Sequence, residues 1–313
     1  ARRSVQRERR VADGLDRLER WLHDLARNGL AGVERQPFSF WDAQAKSLVD
    51  AQAPGLAARL RAMAAIPGSS PDWPARLTER IGRMALIIHA FRRIDKLDEP
   101  LRHDLRAMIG WTINKNELDA VGQRVADEWL AVGQIVEDED RLRVQRTWLC
   151  GRMTRRMALV LQYAAGGAAF AESIIVGTQW QGDLLFHPSA GPQRARIAEG
   201  RGEVQTITER PPGHVTIEAF LDDVSRLLER LPLLDRFGGV LCDVVPLHMP
   251  DGRWLVRDAA GRTLPLAGAD HWTLLALSGG RPLDLSAEWD GDRLRPLAAW
   301  VETRLVGVAI EAP

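Results

Sequence analysis

The sequence predicts an α+β protein with segregated parts: an N-terminal α-helical domain followed by a mainly antiparallel β domain with one inserted helix. Three observations predict it. Apolar residues recur at helical spacing as far as Asp127, from Trp129 the text becomes strand-length runs separated by turn residues, and one amphipathic stretch, Thr216–Leu231, interrupts those runs. The boundary is read at 128/129, giving a helical domain over 1–128 and a mainly-β domain over 129–313. A chain of 313 residues is long enough to bury two cores.

The helical elements follow in order. Val11, Leu15, Leu18, Leu22 and Leu25 form one stripe of a helix over 3–28, and Gly29 and Gly32 end it. The pairs Asp13/Arg17, Asp16/Arg20 and Arg20/Asp24 stand four apart on its polar side. Further helices are expected near 39–51, 55–65, 74–95, 100–110 and 115–128, with Pro54, Pro74 and Pro100 at or near first turns, where a missing N–H costs nothing. The run Ile81–Ile94 is apolar around much of its circumference, which predicts the most buried helix. His89 on that run reads as a satisfied core histidine rather than a ligand, since no second ligand stands four residues away.

The β part opens with a meander over 129–200: DEWLAVGQIV, the acidic turn Glu137–Asp140, RLRVQRTWLCGR, a turn at Met153–Arg155, and RMALVLQYA. A Gly/Ala loop at 164–169 and strand candidates at 182–187 and 193–198 complete it. The inserted helix over 216–231 has Thr216 as N-cap, with Ala219 where a capping box would place Glu. Asp222 and Asp223 near its start suit the helix dipole. Beyond Gly239, turn signals such as Asp251-Gly252 and Asp290-Gly291 separate VLCDVVPLHM, RWLVRD, WTLLALS, PLDLSAEW and LRPLAAWV. This predicts an antiparallel sheet or small barrel over 239–302.

Composition narrows the function. The 42 basic and 42 acidic residues cancel, so no global field recruits nucleic acid or an anionic membrane. Arginine supplies 39 of the cations and lysine three, and eleven tryptophans spread from Trp21 to Trp300 read as core anchors of several elements. Cys150 and Cys242 form neither a CxxC nor a disulfide framework. No apolar run reaches the roughly 18 residues of a membrane span, and no signal-peptide pattern opens the chain, so a cytoplasmic protein is expected. The initial Ala and the five arginines among the first ten residues read as a cut within a longer protein, just after a linker.

No motif assigns a reaction. GxxxxGK[ST], GxGxxG after a strand, HExxH and GxSxG are all missing, and Leu277-Ser278-Gly279-Gly280 is not a nucleophile elbow. No catalytic residue, cofactor ligand or metal ligand is therefore nominated. An enzyme would need a site assembled from scattered residues, for instance His187 or His248 with nearby carboxylates. Glu137–Asp140 offers oxygens to a hard cation but reads first as a solvated turn. The candidate interaction surface is Arg141, Arg143 and Arg146 on one strand with Arg152, Arg155 and Arg156 at the next turn. Such a cluster suits phosphates or an acidic partner, unless Glu137–Asp140 and neighbouring acids neutralise it.

Four segments carry a resemblance: ARRSVQRERRVADGLDRLERWLHDLARNGL at 1–30, FWDAQAKSLVDAQAPGLAARLR at 40–61, EDEDRLRVQRTWLCGR at 137–152 and WTLLALSGGRPLDLSAEWDGDRLRPLAAW at 272–300. Together they resemble the region of bacterial SWIM zinc-finger proteins that follows the finger. The resemblance implies a non-catalytic, cytoplasmic interaction or scaffold region, often encoded beside MoxR-type AAA ATPases and von Willebrand factor A proteins, which are the implied partners. It also implies a zinc-binding finger that contacts DNA or proteins. The finger's CxC…CxH pattern is not in this chain, and neither Cys150 nor Cys242 has a His two residues downstream, so zinc belongs to the absent finger and no ligand carries over. The alternative function is nucleic-acid binding through Arg2–Arg10 and the Arg141–Arg156 hairpin.

Overall fold

In the computed structural model, which describes residues 2–139, 142–165, 167–198 and 200–308, the stripe Val11, Leu15, Leu18, Leu22 and Leu25 is buried as its spacing predicts. The chain divides into two units, Ala1–Lys115 and Asn116–Pro313. The first holds α1 (Arg2–Asn28), α2 (Phe38–Asp50), α3 (Pro54–Met63), α4 (Trp73–Phe91) and α5 (Glu99–Ile109). Trp21, Phe40 and Trp41 pack as a ring cluster with centroids 5.3 to 5.6 Å apart, anchoring α1 on α2. Arg92 at the end of α4 reaches both Asp16 and Glu19 of α1, at 2.7 and 2.6 Å.

Two expectations change in this unit. The stretch Ile81–Ile94 is not buried all round: Met84, Ile87 and Ile88 face the core, while Leu86 is 56% exposed. His89 lies on the outer side, 3.8 Å from Glu19, and is no core histidine. The arginine-rich start is not a linker but the first turns of α1. There the Arg7 guanidinium stacks on Trp111 at 4.6 Å, a cation–π contact.

The second unit begins within α6 (Lys115–Val121), which stops well short of the expected residue 128. From Gln123 the chain is already strand β1 (Gln123–Glu139). Residues 123–128, which the sequence assigned to the helix, pair instead with β4, and Val125, Asp127 and Trp129 have the two-residue spacing of one strand face. β1 continues into β2 (Leu142–Gly151), β3 (Met157–Ala165), β4 (Thr178–Phe186), β5 (Arg194–Ile197) and β6 (Gln205–Thr206). The order β1-β2-β3-β5-β4 returns to β1, because the first half of β1 pairs with β4 and its second half with β2. With β3 and β5 parallel, this is a closed five-stranded barrel with the connectivity of the OB type. Trp129, Leu149, Val160, Trp180 and Phe186 fill its interior.

The barrel thus lies in the meander and not in the C-terminal part, where the sequence allowed one. The C-terminal strands β7 (Phe237–His248), β8 (Trp254–Arg257), β9 (Thr263–Pro265), β10 (Leu283–Trp289), β11 (Leu294–Val301) and β12 (Arg304–Gly307) form an open antiparallel sheet, ordered β12-β11-β10-β7-β8-β9. Two helices accompany it rather than one. α7 (Ile217–Arg230) is the expected insertion, and its N-cap Thr216 accepts the Ala219 N–H at 3.1 Å. The run WTLLALS is no strand but α8 (Trp272–Ser278), closed by Gly279 in the left-handed conformation. A seven-residue apolar run carries no period that separates helix from strand; the glycine was the usable signal.

Around β7 and β10 the sheet is covered on both faces. A side chain at Gly239 would meet the Phe220 ring of α7 at 2.6 Å, whereas one at its neighbour Gly238 would run into the Trp148 ring of the barrel. A bulge in β1 between Ala131 and Gly133 flips the alternation, so Gly133, Ile135 and Glu137 also turn toward the sheet, with Gly133 directly under Leu297. This layering explains why every residue of β10 is buried. Gly238→Val should therefore lower unfolding free energy by about 1–3 kcal/mol in urea melts. Gly32→Ala, where nothing lies within 4 Å of the new methyl, should change it by less than about 0.5 kcal/mol.

Candidate functional site

The hairpin β2–β3 was the sequence's candidate surface, and its six arginines divide into different environments. Arg141 lies outside the described residues. Arg143 stacks on Phe170 at 5.1 Å. Arg146 faces the opposite side of the strand and is buried, its side chain only 4% exposed, in the seam between barrel and sheet. There it donates to Glu137 at 2.7 Å and lies 3.4 Å from Glu288. Glu288 also accepts the Trp148 Nε1–H at 2.9 Å and a bond from Arg236 at 3.0 Å, while Arg295 pairs with Glu137. Arg146 is thus no accessible contact, and Glu137 is no solvated turn residue.

Burial alone would raise the Glu137 carboxyl, but Arg146 and Arg295 win and hold it near about 2. Glu288 behaves alike: burial opposes its charge, and Arg236, Arg146 and the Trp148 N–H keep it below the ordinary carboxylate range. The seam also covers the outer face of β2 and β3, where Trp148, Cys150, Met157 and Leu159 pack with Val240, Leu297 and Trp300. In OB-type barrels that face is the oligonucleotide platform. Here the chain's own second sheet occupies it.

The turn between β2 and β3 is pinned by Asp127, a residue the sequence did not single out. Its carboxylate accepts the Met153 N–H at 3.0 Å, the Thr154 N–H at 2.8 Å and the Thr154 hydroxyl at 2.6 Å. Burial pushes the carboxyl up, yet these donors and the Glu128 N–H hold it low. Within this turn Arg152 is held by Glu128 and by Gln179 at 2.8 Å. Arg156 lies 4.0 Å over the Phe186 ring and donates to Gln123 at 3.1 Å. Arg155 takes a left-handed φ of 57° and points to solvent, with no carboxylate partner among the described residues.

Arg155 and Arg156 border a groove of about 540 Å³ between this turn and α7. Its deep wall is apolar, formed by Met157, Phe220, Val224, Leu227 and Phe237. Arg226 and Arg230 of α7 complete the outer rim. The groove contains one acid, Asp223, which His214 Nε2 meets at 2.8 Å and Arg226 also pairs with. Four arginines thus stand against a single, already engaged carboxylate. The helix dipole accounts for Asp223 along the sequence, and only the fold brings His214 to it.

The remaining candidates do not converge. His187 has Arg194 and Arg196 as its charged neighbours, and burial with those cations pushes it down to about 4, so it is a neutral imidazole at neutral pH. His248 is stacked on Trp254 and Trp272 at 4.4 and 4.9 Å. Burial pushes the Cys150 and Cys242 thiols up to about 12 and about 11, the reverse of what a thiolate ligand or nucleophile needs. Among the described residues no group of three or more His, Cys, Asp or Glu side chains is placed to hold a metal, so the residues present do not fit the finger's zinc.

Two outcomes follow. Arg146→Met leaves Glu288 and Glu137 short of a cation in the seam and should cost about 3–5 kcal/mol in urea denaturation, against less than about 1 kcal/mol for Arg143→Ala. The Glu137 carboxyl is held near about 2 against its ordinary 4.5, so its contribution to stability is full above pH 4.5 and is lost as pH falls toward 2. Thermal melts of Glu137→Gln between pH 5 and 2 should accordingly show a shallower acid slope than the parent.

No helix among the described residues is long and apolar enough to cross a membrane. No curated protein and no solved structure matches the chain significantly. A family model does match, over residues 6–109, and it covers α1 through α5 while leaving the β unit outside. That model describes the SWIM-associated four-helix bundle domain, so the N-terminal helical unit is similar to this domain, which is consistent with a region C-terminal to a SWIM finger.

Proposed function

We propose that this chain is a non-catalytic protein-interaction region of a SWIM zinc-finger protein, and that its partners include the MoxR-type AAA ATPases and von Willebrand factor A proteins that the family resemblance implies. The observation that carries the reading is the contrast between closed and open polar groups. The buried acids Asp127, Glu288 and Asp284 are tied to backbone donors or arginines inside the fold, which is structural chemistry. The groove beside α7 is instead open, apolar at its base and cationic at its rim, which is the make-up of a recognition site. Zinc and finger-borne contacts belong, in this reading, to the finger, and the chain acts in the cytoplasm.

The full-length protein, tagged and isolated from its native host, should co-purify the AAA ATPase and von Willebrand factor A proteins encoded beside it. Recovery of neither would sink the reading. The nucleic-acid alternative keeps Arg143, Arg155 and Arg156 as accessible cations. It predicts retention on immobilised DNA or RNA that falls with salt and weakens in the triple variant Arg152→Ala/Arg155→Ala/Arg156→Ala. Retention unchanged by those substitutions removes the hairpin from that role.

A further inference from the structure

We infer that the groove between the β2–β3 turn and α7 is a docking site for an acidic peptide segment that carries a bulky apolar side chain. This rests on the interaction reading above and assigns it a place and a partner chemistry. The groove is formed by residues distant in sequence, from Gln123 to Gly238, so no motif announces it. Charge complementarity gives the first half of the occupant. Arg155, Arg156, Arg226 and Arg230 line the opening of a protein whose net charge is zero, and the acid within it, Asp223, is already held by His214 and Arg226.

The apolar wall gives the second half. Met157, Val224 and Leu227 reward an occupant that brings an aliphatic or aromatic group, which a phosphate does not. Phe220 and Phe237 are each only 2% exposed, so neither presents a free ring face on which a nucleobase could stack. A volume of about 540 Å³ accommodates a few side chains of a segment rather than a duplex.

The rim is also pre-organised. The three donors of the turn fix Asp127 and, with it, the loop that bears Arg155, whose left-handed φ of 57° is rare for a residue with a side chain. Arg156 is clamped over Phe186. The Arg156 guanidinium and the backbone that carries Arg155 are therefore in place before an occupant arrives, which lowers the entropic cost of binding. Arg152, one position from the turn's apex, is engaged by Glu128 and does not take part.

Fluorescence anisotropy tests the site with the full chain and three labelled probes: a short peptide of glutamates around a Leu-Phe pair, the same peptide with lysines for glutamates, and a single-stranded oligonucleotide. The acidic peptide should bind, and Arg155→Glu/Arg230→Glu should weaken it by about tenfold or more. A charge-matched reversal at the exposed Arg257 and Arg304, on β8 and β12, should leave its affinity unchanged. Both altered arginines of the groove are exposed, so unchanged thermal melting verifies the fold. Absence of binding, equal binding by both double variants, or tighter groove binding by the lysine peptide or the oligonucleotide overturns the inference. Partners that co-purify equally well with Arg155→Glu/Arg230→Glu remove the groove alone and leave the interaction reading intact.

Discussion

Strand β7 carries no side chains at Gly238 and Gly239, and the architecture of the second unit depends on that gap. Successive strand residues point to opposite faces, so the two glycines let the Trp148 ring of the barrel and the Phe220 ring of α7 approach the same strand from either side. The sheet thereby becomes a middle layer, and β10, beside β7, is buried along its whole length. The cost of this arrangement appears in the seam. Polar groups of both layers are taken out of water there, and they remain charged only because Arg146, Glu137, Glu288 and the Trp148 N–H satisfy one another.

The same seam decides what kind of protein the barrel can be. Its strand connectivity would leave the outer face of β2 and β3 available for a ligand, but Trp148, Cys150 and Leu159 on that face are committed to intramolecular packing. What stays accessible is the edge of the layer, where the β2–β3 turn overhangs α7. Asp127 fixes that turn, Gly238 and Phe237 form the adjoining wall, and α7 supplies the rest. The groove is therefore a by-product of stacking a helix and a barrel on one thin strand. Its cationic rim comes from four arginines that share one acid, Asp223, which Arg226 and His214 already engage.

Much of the fold was legible because burial imposes periods. The α1 stripe, the Thr216 cap and the Pro54 and Pro100 first turns are local devices, and each appears where its residues placed it. The misreadings share one cause. WTLLALS and residues 123–128 are too short for a period to separate helix from strand, so tertiary pairing decided them. His89 looked buried because Ile81–Ile94 is apolar, but a helix packed on one side exposes some apolar residues with its polar ones, Leu86 among them.

The candidate surface shows the same division. Sequence placed six arginines near one hairpin, but a β-bulge between Ala131 and Gly133 set which face Glu137 occupies, and so which arginine it neutralises. By itself the sequence determined the segregated α+β class, an N-terminal helical part and the lack of a contiguous catalytic motif, since these rest on spacing along the chain. Only the tertiary structure decided where the barrel closes, which arginines are buried and where the groove lies. Those outcomes turn on strands and side chains separated by up to 158 residues, whose meeting no local pattern records.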